Sequence, residues 1–275
     1  MIPAKFGYRR AGSVEEALSN LSEHGDEAKL LAGGHSLVPL MKLRLATPSL
    51  LVDVGRLAEL SYVRDTGDHV EVGALTCHRD LAASAVARTH VPVLAHVAGQ
   101  VGDPQVRHRG TIGGSIAHGD PASDLPAAVL ALGGTLVVRG PQGRREIPAT
   151  EFFRGFLETA IAPDEMLTEV RVPKVPGGWS FQKLSRRAQD WAIVGVVAVA
   201  DGSPRVSLVH MGSTPLRATT VEEALADGAT VAEAASRAGE GLDPPSDINA
   251  SAEFRRHLAT VLVHRALVEA TGAGV

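Results

Sequence analysis

Ala32-Gly33-Gly34-His35-Ser36 and Thr111-Ile112-Gly113-Gly114-Ser115 are two stretches of nearly bare backbone, each flanked by small hydroxyls. Glycine lacks a Cβ, so consecutive glycines admit positive φ and let main-chain N–H groups approach an anion closely. The serine or threonine beside them adds a donor. One Gly-Gly pair is most often a turn, and this chain holds 29 glycines. The same arrangement occurring twice, in two different contexts, points to a clamp for a diphosphate.

Working outward from the first loop, residues 1–50 read as a βαβ-like unit. Ser13-Val-Glu-Glu16 is a capping box that opens a helix over 13–24, with the Ser13 hydroxyl on the Glu16 N–H and the Glu16 carboxylate reaching back. A short buried strand over 28–32 runs straight into the glycines. One or two helical turns over 37–45 follow, then Pro48 and a strand over 50–54. Beyond residue 56 a hairpin across Thr66-Gly-Asp-His69 joins strands at 61–64 and 70–73. Residues 91–101 have helical periodicity, with Val91, Leu94, Ala95 and Ala98 on one side.

The second loop comes next, then a helix over 124–132, a hairpin of 135–139 with 144–147, and a strand over 166–172. Pro173-Lys-Val-Pro-Gly-Gly178 is the best boundary in the chain. After it, strands at 179–184, 192–200 and 205–210 precede a helical tail that ends in a long helix over 252–270. Phe254, Leu258, Val261 and Leu262 line one face of that helix. Strands followed by helices give an α+β C-terminal domain.

Composition narrows the function. The chain of 275 residues is 44% hydrophobic and 21% charged, an ordinary globular balance. With 27 Lys+Arg against 31 Asp+Glu, the formal charge of -4 offers no general attraction to nucleic acid or anionic lipid. The longest apolar run, Trp191 through Ala200, is about half the ~20 residues of a membrane span, and the start lacks a signal-peptide core. The expected location is the cytoplasm. A single cysteine, Cys77, rules out an internal disulfide and any multi-cysteine zinc or iron-sulfur site built from this chain alone.

The rival motifs are missing. There is no G-x-G-x-x-G after a strand and no G-x-x-x-x-G-K-[ST], so neither a Rossmann site nor a P-loop is supported. Gly34-His35-Ser36-Leu37-Val38 begins like a nucleophile elbow but lacks its closing glycine. His78, His108 and His118 lie near Asp80, Asp103, Asp120 and Asp124 without the spacing of a metal-ligand signature, so no metal site is expected. Asp124 stands at a helix start, where it can cap the helix or accept a hydrogen bond from a ligand hydroxyl. Arg186 and Arg187 read as an anion patch or an exposed strand end, and Trp191 as a core residue or the cover of a planar ring.

Ala32-Gly-Gly-His-Ser36 with Leu37-Val-Pro-Leu-Met-Lys-Leu-Arg44, Asp103-Pro-Gln-Val-Arg-His-Arg-Gly-Thr-Ile-Gly-Gly-Ser115, and Asp120-Pro-Ala-Ser-Asp124 resemble the FAD-binding medium subunits of the molybdenum hydroxylase (xanthine dehydrogenase) family. The resemblance is greatest to medium subunits of aerobic carbon monoxide dehydrogenases. Phe181-Gln-Lys-Leu-Ser-Arg-Arg187 and Trp191-Ala-Ile-Val-Gly195 extend it through the last third of the chain. It implies an α+β fold with a FAD-binding domain over 1–175 of the vanillyl-alcohol-oxidase (PCMH) type, in subdomains of about 1–55 and 56–175. A small C-terminal domain over 176–275, a three-stranded sheet with helices, follows.

By the same matching, Ala32, Gly33, Gly34, His35 and Ser36 together with Thr111, Ile112, Gly113, Gly114 and Ser115 hold the FAD diphosphate. Leu31 and Leu37 flank the first loop, Val101 and Leu167 approach the cofactor, and Asp124 bonds to it. Lys183 lies near the flavin end, with Asp190 and Trp191 near the isoalloxazine. Two residues depart from the family pattern: Ser115 where Asn is common, and Trp191 where the carbon monoxide enzymes often have Tyr.

The resemblance also implies partners. A small subunit with two [2Fe-2S] clusters would pass electrons to FAD on this chain, and a large subunit would carry the molybdenum-cytosine dinucleotide, in a dimer of heterotrimers that serves an external acceptor. No catalytic base and no metal ligand are expected here. The competing readings are a flavin-free docking or assembly protein and a stand-alone flavin reductase or oxidase.

Overall fold

Alternating and continuous apolar runs sort the strands of this chain into separate sheets. The computed structural model describes residues 2–272. In the first sheet, Leu50–Asp53 pairs in parallel with Gly7–Arg10 on one side and with Ala28–Leu31 on the other. The helix Val14–His24 covers it, burying Val14, Ala17 and Leu21 against Leu50 and Val52. The Ser13 hydroxyl accepts the Glu16 N–H at 3.1 Å as expected, but the Glu16 carboxylate accepts the N–H of Gly12, one residue earlier than a capping box requires.

The second sheet is antiparallel, in the order Val63–Asp65, His69–Gly73, Met166–Pro173, Thr135–Gly140, Gly143–Pro148. Its inner face packs on the helices Pro92–Gln100 and Asp124–Ala131, which are apolar nearly all round because they form the middle of the molecule.

The third sheet orders Gly178–Ser185, Ala192–Ala200, Arg205–Val209 and Leu216–Arg217, all antiparallel. The last of these adds a short fourth strand to the three expected from the sequence. Val197 and Val199 face the central core, whereas Val194, Val196 and Ala198 face the C-terminal helices. The strand is buried on both faces, which explains an apolar run too short for a membrane span. Among the described residues no helix is long and apolar enough to cross a membrane.

The long helix Ala252–Thr271 departs from its expected face. Phe254 is exposed, and the buried stripe runs through Arg255, Leu258, Ala259, Leu262, Val263 and Ala266. A hydrophobicity pattern assigns the phenyl ring inward and the guanidinium outward. The fold reverses both because Arg255 has buried partners, described below.

Candidate functional site

A cleft of about 530 Å³ opens where the three sheets meet, within the size range of cofactor pockets. Its lining comes from both glycine loops, from the Asp124 helix, and from Lys183 and residues 189–191 of the C-terminal region.

The first loop emerges from the strand Ala28–Leu31 and ends at the short helix Leu37–Lys42. Gly33 has no room for a side chain, because a Cβ there would overlap the carbonyl of Arg109 and approach the Cα of Gly110. Gly34 adopts a φ of 78°, in the left-handed region that glycine enters without strain. Among the described residues, the backbone N–H groups of residues 33–37 donate to no protein acceptor. Leu31, Ala32, His35, Ser36 and Leu37 line the cleft beside the two glycines.

The second loop is built differently. Thr111 caps the helix Ile112–His118, its hydroxyl oxygen accepting the Gly114 N–H at 3.1 Å. The Ile112 N–H donates to Thr76 O at 3.1 Å, the Gly113 N–H to Ala74 O at 2.9 Å, and the Ser115 N–H to Thr111 O at 3.0 Å. The N–H groups of Ile112, Gly113, Gly114 and Ser115, four of the five that the loop offers as anion donors, are therefore engaged. A Cβ on Gly113 would lie 2.6 Å from the Ala74 carbonyl oxygen, so this glycine serves packing against the turn that follows the strand His69–Gly73. Thr111, Gly113, Gly114 and Ser115 line the cleft, and Ile112 does not: its side chain is fully buried in the central core. What the loop's side chains present to a ligand is the proton of the Thr111 hydroxyl and that of Ser115, whose only hydrogen-bond partner among the described residues is Ser123 Oγ at 3.5 Å.

The loops touch. Gly33 packs on Arg109 and Gly110, the residues that lead into Thr111, and His78 supports the same point from below. The His78 N–H donates to Gly110 O at 2.9 Å, and its ring lies where a Gly110 side chain would go. Burial, with His35 and the Arg107 guanidinium nearby, pulls the His78 pKa down to about 4. Its Nδ1 is buried without a partner. His108 lies beside Arg79, and His118 is on the cleft face of the Ile112–His118 helix. Among the described residues, no three His, Cys, Asp or Glu side chains converge as a metal site would require.

Asp124 is the first residue of its helix, and the cap position belongs to Ser123, so its carboxylate does not act as a helix cap. It reaches across the cleft to Lys183 Nζ at 2.7 Å, with both side chains largely buried. Its other oxygen, Oδ1, has no partner. Burial pushes the Asp124 carboxyl above the usual range, opposed by the Lys183 ammonium. A buried acceptor with nothing to accept is costly, and its position in a cleft wall suits a ligand donor.

Val101 and Leu167 form part of the apolar wall, and Asp190 and Trp191 stand at the C-terminal side. Trp191 is 57% exposed, so it is not a core residue. Arg186 and Arg187 are exposed in the turn between strands and do not line the cleft. Lys29, Leu40, Ala74, Val106 and Gln189 also line it. Val106 lies inside the stretch that carries the resemblance, whereas Lys29, in the strand Ala28–Leu31, and Ala74, in the turn after the strand His69–Gly73, are marked by no local pattern.

A family model described as the FAD binding domain in molybdopterin dehydrogenase matches residues 4–175, and one described as the CO dehydrogenase flavoprotein C-terminal domain matches residues 179–270. The chain belongs to this flavoprotein family of the molybdopterin dehydrogenases. It is 40% identical to a carbon monoxide dehydrogenase medium chain of Hydrogenophaga pseudoflava, over 97% of each chain. It is 38% identical to a 6-hydroxypseudooxynicotine dehydrogenase complex subunit alpha of Paenarthrobacter nicotinovorans, over 98% of this chain and 96% of the relative.

Solved structures agree. A chain of carbon monoxide dehydrogenase from Hydrogenophaga pseudoflava superposes with a TM-score of 0.93 at 42% identity, over 98% of each chain. A chain of quinoline 2-oxidoreductase from Pseudomonas putida 86 gives 0.91 at 33% identity, over 99% of each. This member of the molybdopterin dehydrogenase flavoproteins is thus an FAD-binding oxidoreductase subunit. The cleft fits that cofactor, since it offers a row of unengaged N–H groups to a diphosphate and a buried unpartnered carboxylate oxygen to a hydroxyl or amine.

Proposed function

We propose that the chain is the FAD-carrying electron-transfer subunit of a molybdenum hydroxylase complex of the carbon monoxide dehydrogenase type. The observation that carries this reading is the row of N–H groups over residues 33–37, left without protein acceptors at the wall of a cleft that the second loop completes. Those N–H dipoles and the Thr111 and Ser115 hydroxyls would meet the diphosphate without a metal. Asp124 would accept from the cofactor through its free oxygen while Lys183 neutralises it. Leu31, Leu37, Val101 and Leu167 would exclude water along the apolar wall, and Asp190 and Trp191 would face the ring.

Bound FAD would supply one-electron acceptance from an iron-sulfur donor and two-electron release to an external acceptor. The chain itself contributes binding, orientation and control of access. The family-model matches on either side of residue 175 support a division into a FAD-binding domain over 1–175 and a C-terminal domain over 176–275, and the separate first and second sheets support subdomains near 1–55 and 56–175. The partners in this reading are a small subunit with [2Fe-2S] clusters and a large subunit with molybdenum-cytosine dinucleotide, assembled in the cytoplasm as a dimer of heterotrimers.

Reconstitution with FAD, followed by co-purification with the products of neighbouring reading frames, tests the proposal. Flavin reduction is expected only when the partners and their substrate are present. Rapid NAD(P)H or oxygen turnover by the isolated chain would instead make it a stand-alone reductase or oxidase. Absence of flavin binding both alone and with partners would leave a docking protein.

A further inference from the structure

Arg255 lies within the first turns of the helix Ala252–Thr271 with its side chain fully buried, deeper than any other charged side chain among the described residues. Burying a guanidinium is unfavourable by several kcal/mol unless its donors are met. Helix packing alone gives no reason for it, since Leu258, Leu262 and Ala266 already supply an apolar face. The donors of Arg255 are directed elsewhere. Nε donates to Pro245 O at 2.9 Å, Nη2 to Asp247 Oδ2 at 2.7 Å, and Nη1 to Ile193 O. The same Nη1 lies 3.1 Å from His210 Nδ1.

These partners share a location. Ile193 follows Trp191 by two residues, and His210 Nδ1 is 2.8 Å from the carbonyl of Ala192, the residue between them. His210 adopts a φ of 63°, a left-handed conformation that is strained for a non-glycine residue and persists only where its surroundings hold it. Its backbone N–H donates to Pro121 O at 2.8 Å, in the turn that leads into Asp124. The Asp120 carboxylate closes that turn on the Ala122 N–H at 2.8 Å. The buried cation therefore holds the backbone that leaves Asp190-Trp191 at Ile193 O and packs against His210, whose Nδ1–H on Ala192 O and backbone N–H on Pro121 O join that backbone to the one that enters Asp124. Between Leu184 and Trp191 the chain is largely exposed, with Asp190 N–H to Arg187 O as a local tie.

We infer that Arg255 is a positioning residue for the flavin site, holding Asp190 and Trp191 in register with Asp124 across the cleft from within the C-terminal helix. The inference rests on the FAD-carrier reading given above. Its action is indirect, because Arg255 does not line the cleft, and it works through the carbonyl of Ile193 and the ring of His210.

The test compares FAD-loaded wild-type protein with Arg255→Met, Arg255→Lys and Leu267→Ala. Leu267 is buried in the same helix and has no part in the network. Arg255→Met is expected to change the visible circular dichroism of bound flavin and to release FAD about tenfold faster, the equivalent of about 1.4 kcal/mol of lost contact. Arg255→Lys, which keeps a cation and some donors, should fall between. Leu267→Ala should lower Tm while leaving the flavin signal and release rate at wild-type values.

Identical flavin signatures in Arg255→Met and Leu267→Ala at matched losses of Tm overturn the inference. Should Arg255→Met not fold, Asp247→Asn decides: a shifted flavin dichroism supports the positioning role and a wild-type one overturns it. A wild-type chain that takes up no FAD removes the cofactor reading instead. In that event Trp191 emission and its quenching by acrylamide, in a Trp179→Phe background, read the same displacement, and no change in the Asp247→Asn variant overturns the inference.

Discussion

The two glycine loops have nearly the same composition and opposite hydrogen-bond economies. In the first, Gly33 and Gly34 shape a turn whose N–H groups over residues 33–37 meet no protein acceptor. In the second, every N–H from Ile112 to Ser115 is already bonded, to Thr76, Ala74 and Thr111. The first is arranged to receive an anion, and the second is arranged to hold itself still. Similar sequence signatures can thus mark a binding surface in one place and a rigid support in another, and only the backbone packed around them distinguishes the two.

Substitution in each loop can break this contrast. The largest effect is expected at Gly33→Ala, whose Cβ would overlap the Arg109 carbonyl. Overpacking against fixed backbone costs about 3 kcal/mol or more, about 100-fold in FAD affinity. Fluorescence titration giving a Kd within twofold of wild type would show that the loops need not touch. Gly34→Ala faces the strain of its positive φ, about 1–2 kcal/mol, and should weaken FAD roughly tenfold with the fold retained. Equal weakening by Gly113→Ala without loss of Tm would erase the distinction between binding loop and support.

Thr111→Val removes both the helix cap and the second loop's free hydroxyl proton. About 1 kcal/mol of stability and about fivefold of affinity should be lost, with recovery in Thr111→Ser. A Thr111→Val protein that matches wild type in isothermal titration would leave the second loop without a ligand role.

The smallest effect near neutrality concerns His78, beneath the contact between the loops. Its folded pKa of about 4 lies below the unfolded value of 6.5, so only the unfolded chain takes up the proton between these pH values. Stability is at its full value about a unit above pH 6.5, is lower by just under ~1 kcal/mol at pH 6, and continues to fall toward pH 4. Urea unfolding across this range should show a shallower pH slope in His78→Gln. The same slope in both proteins would place the titration elsewhere.

Much of this is legible in the amino-acid sequence. The strands at 50–53, 135–140 and 192–200 follow from their apolar runs, and the helix at 14–24 follows from Ser13 and Glu16. Several features were not legible, each for a physical reason. The pairing of Asp124 with Lys183 spans 59 residues, and no spacing rule reaches so far. The engagement of the second loop's N–H groups depends on Ala74 and Thr76, which come from another part of the chain. Arg255 is buried and Phe254 exposed because the acceptors Pro245, Ile193 and Asp247 converge on the charged residue, a tertiary circumstance that residue hydrophobicity does not encode. The fourth strand of the last sheet is two residues long, too short to leave a periodic trace.

The unengaged donors of the first loop also bear on how the protein can be followed in solution. An amide with no internal acceptor exchanges its hydrogen for deuterium without waiting for local unfolding, whereas one bonded to Ala74 or Thr76 exchanges only when the structure opens. In the flavin-free chain, residues 33–37 should label quickly and residues 112–115 slowly. Filling the cleft should slow the first group and leave the second nearly as it was, so that a single isotope-labelling experiment reads occupancy at one loop against an internal standard at the other.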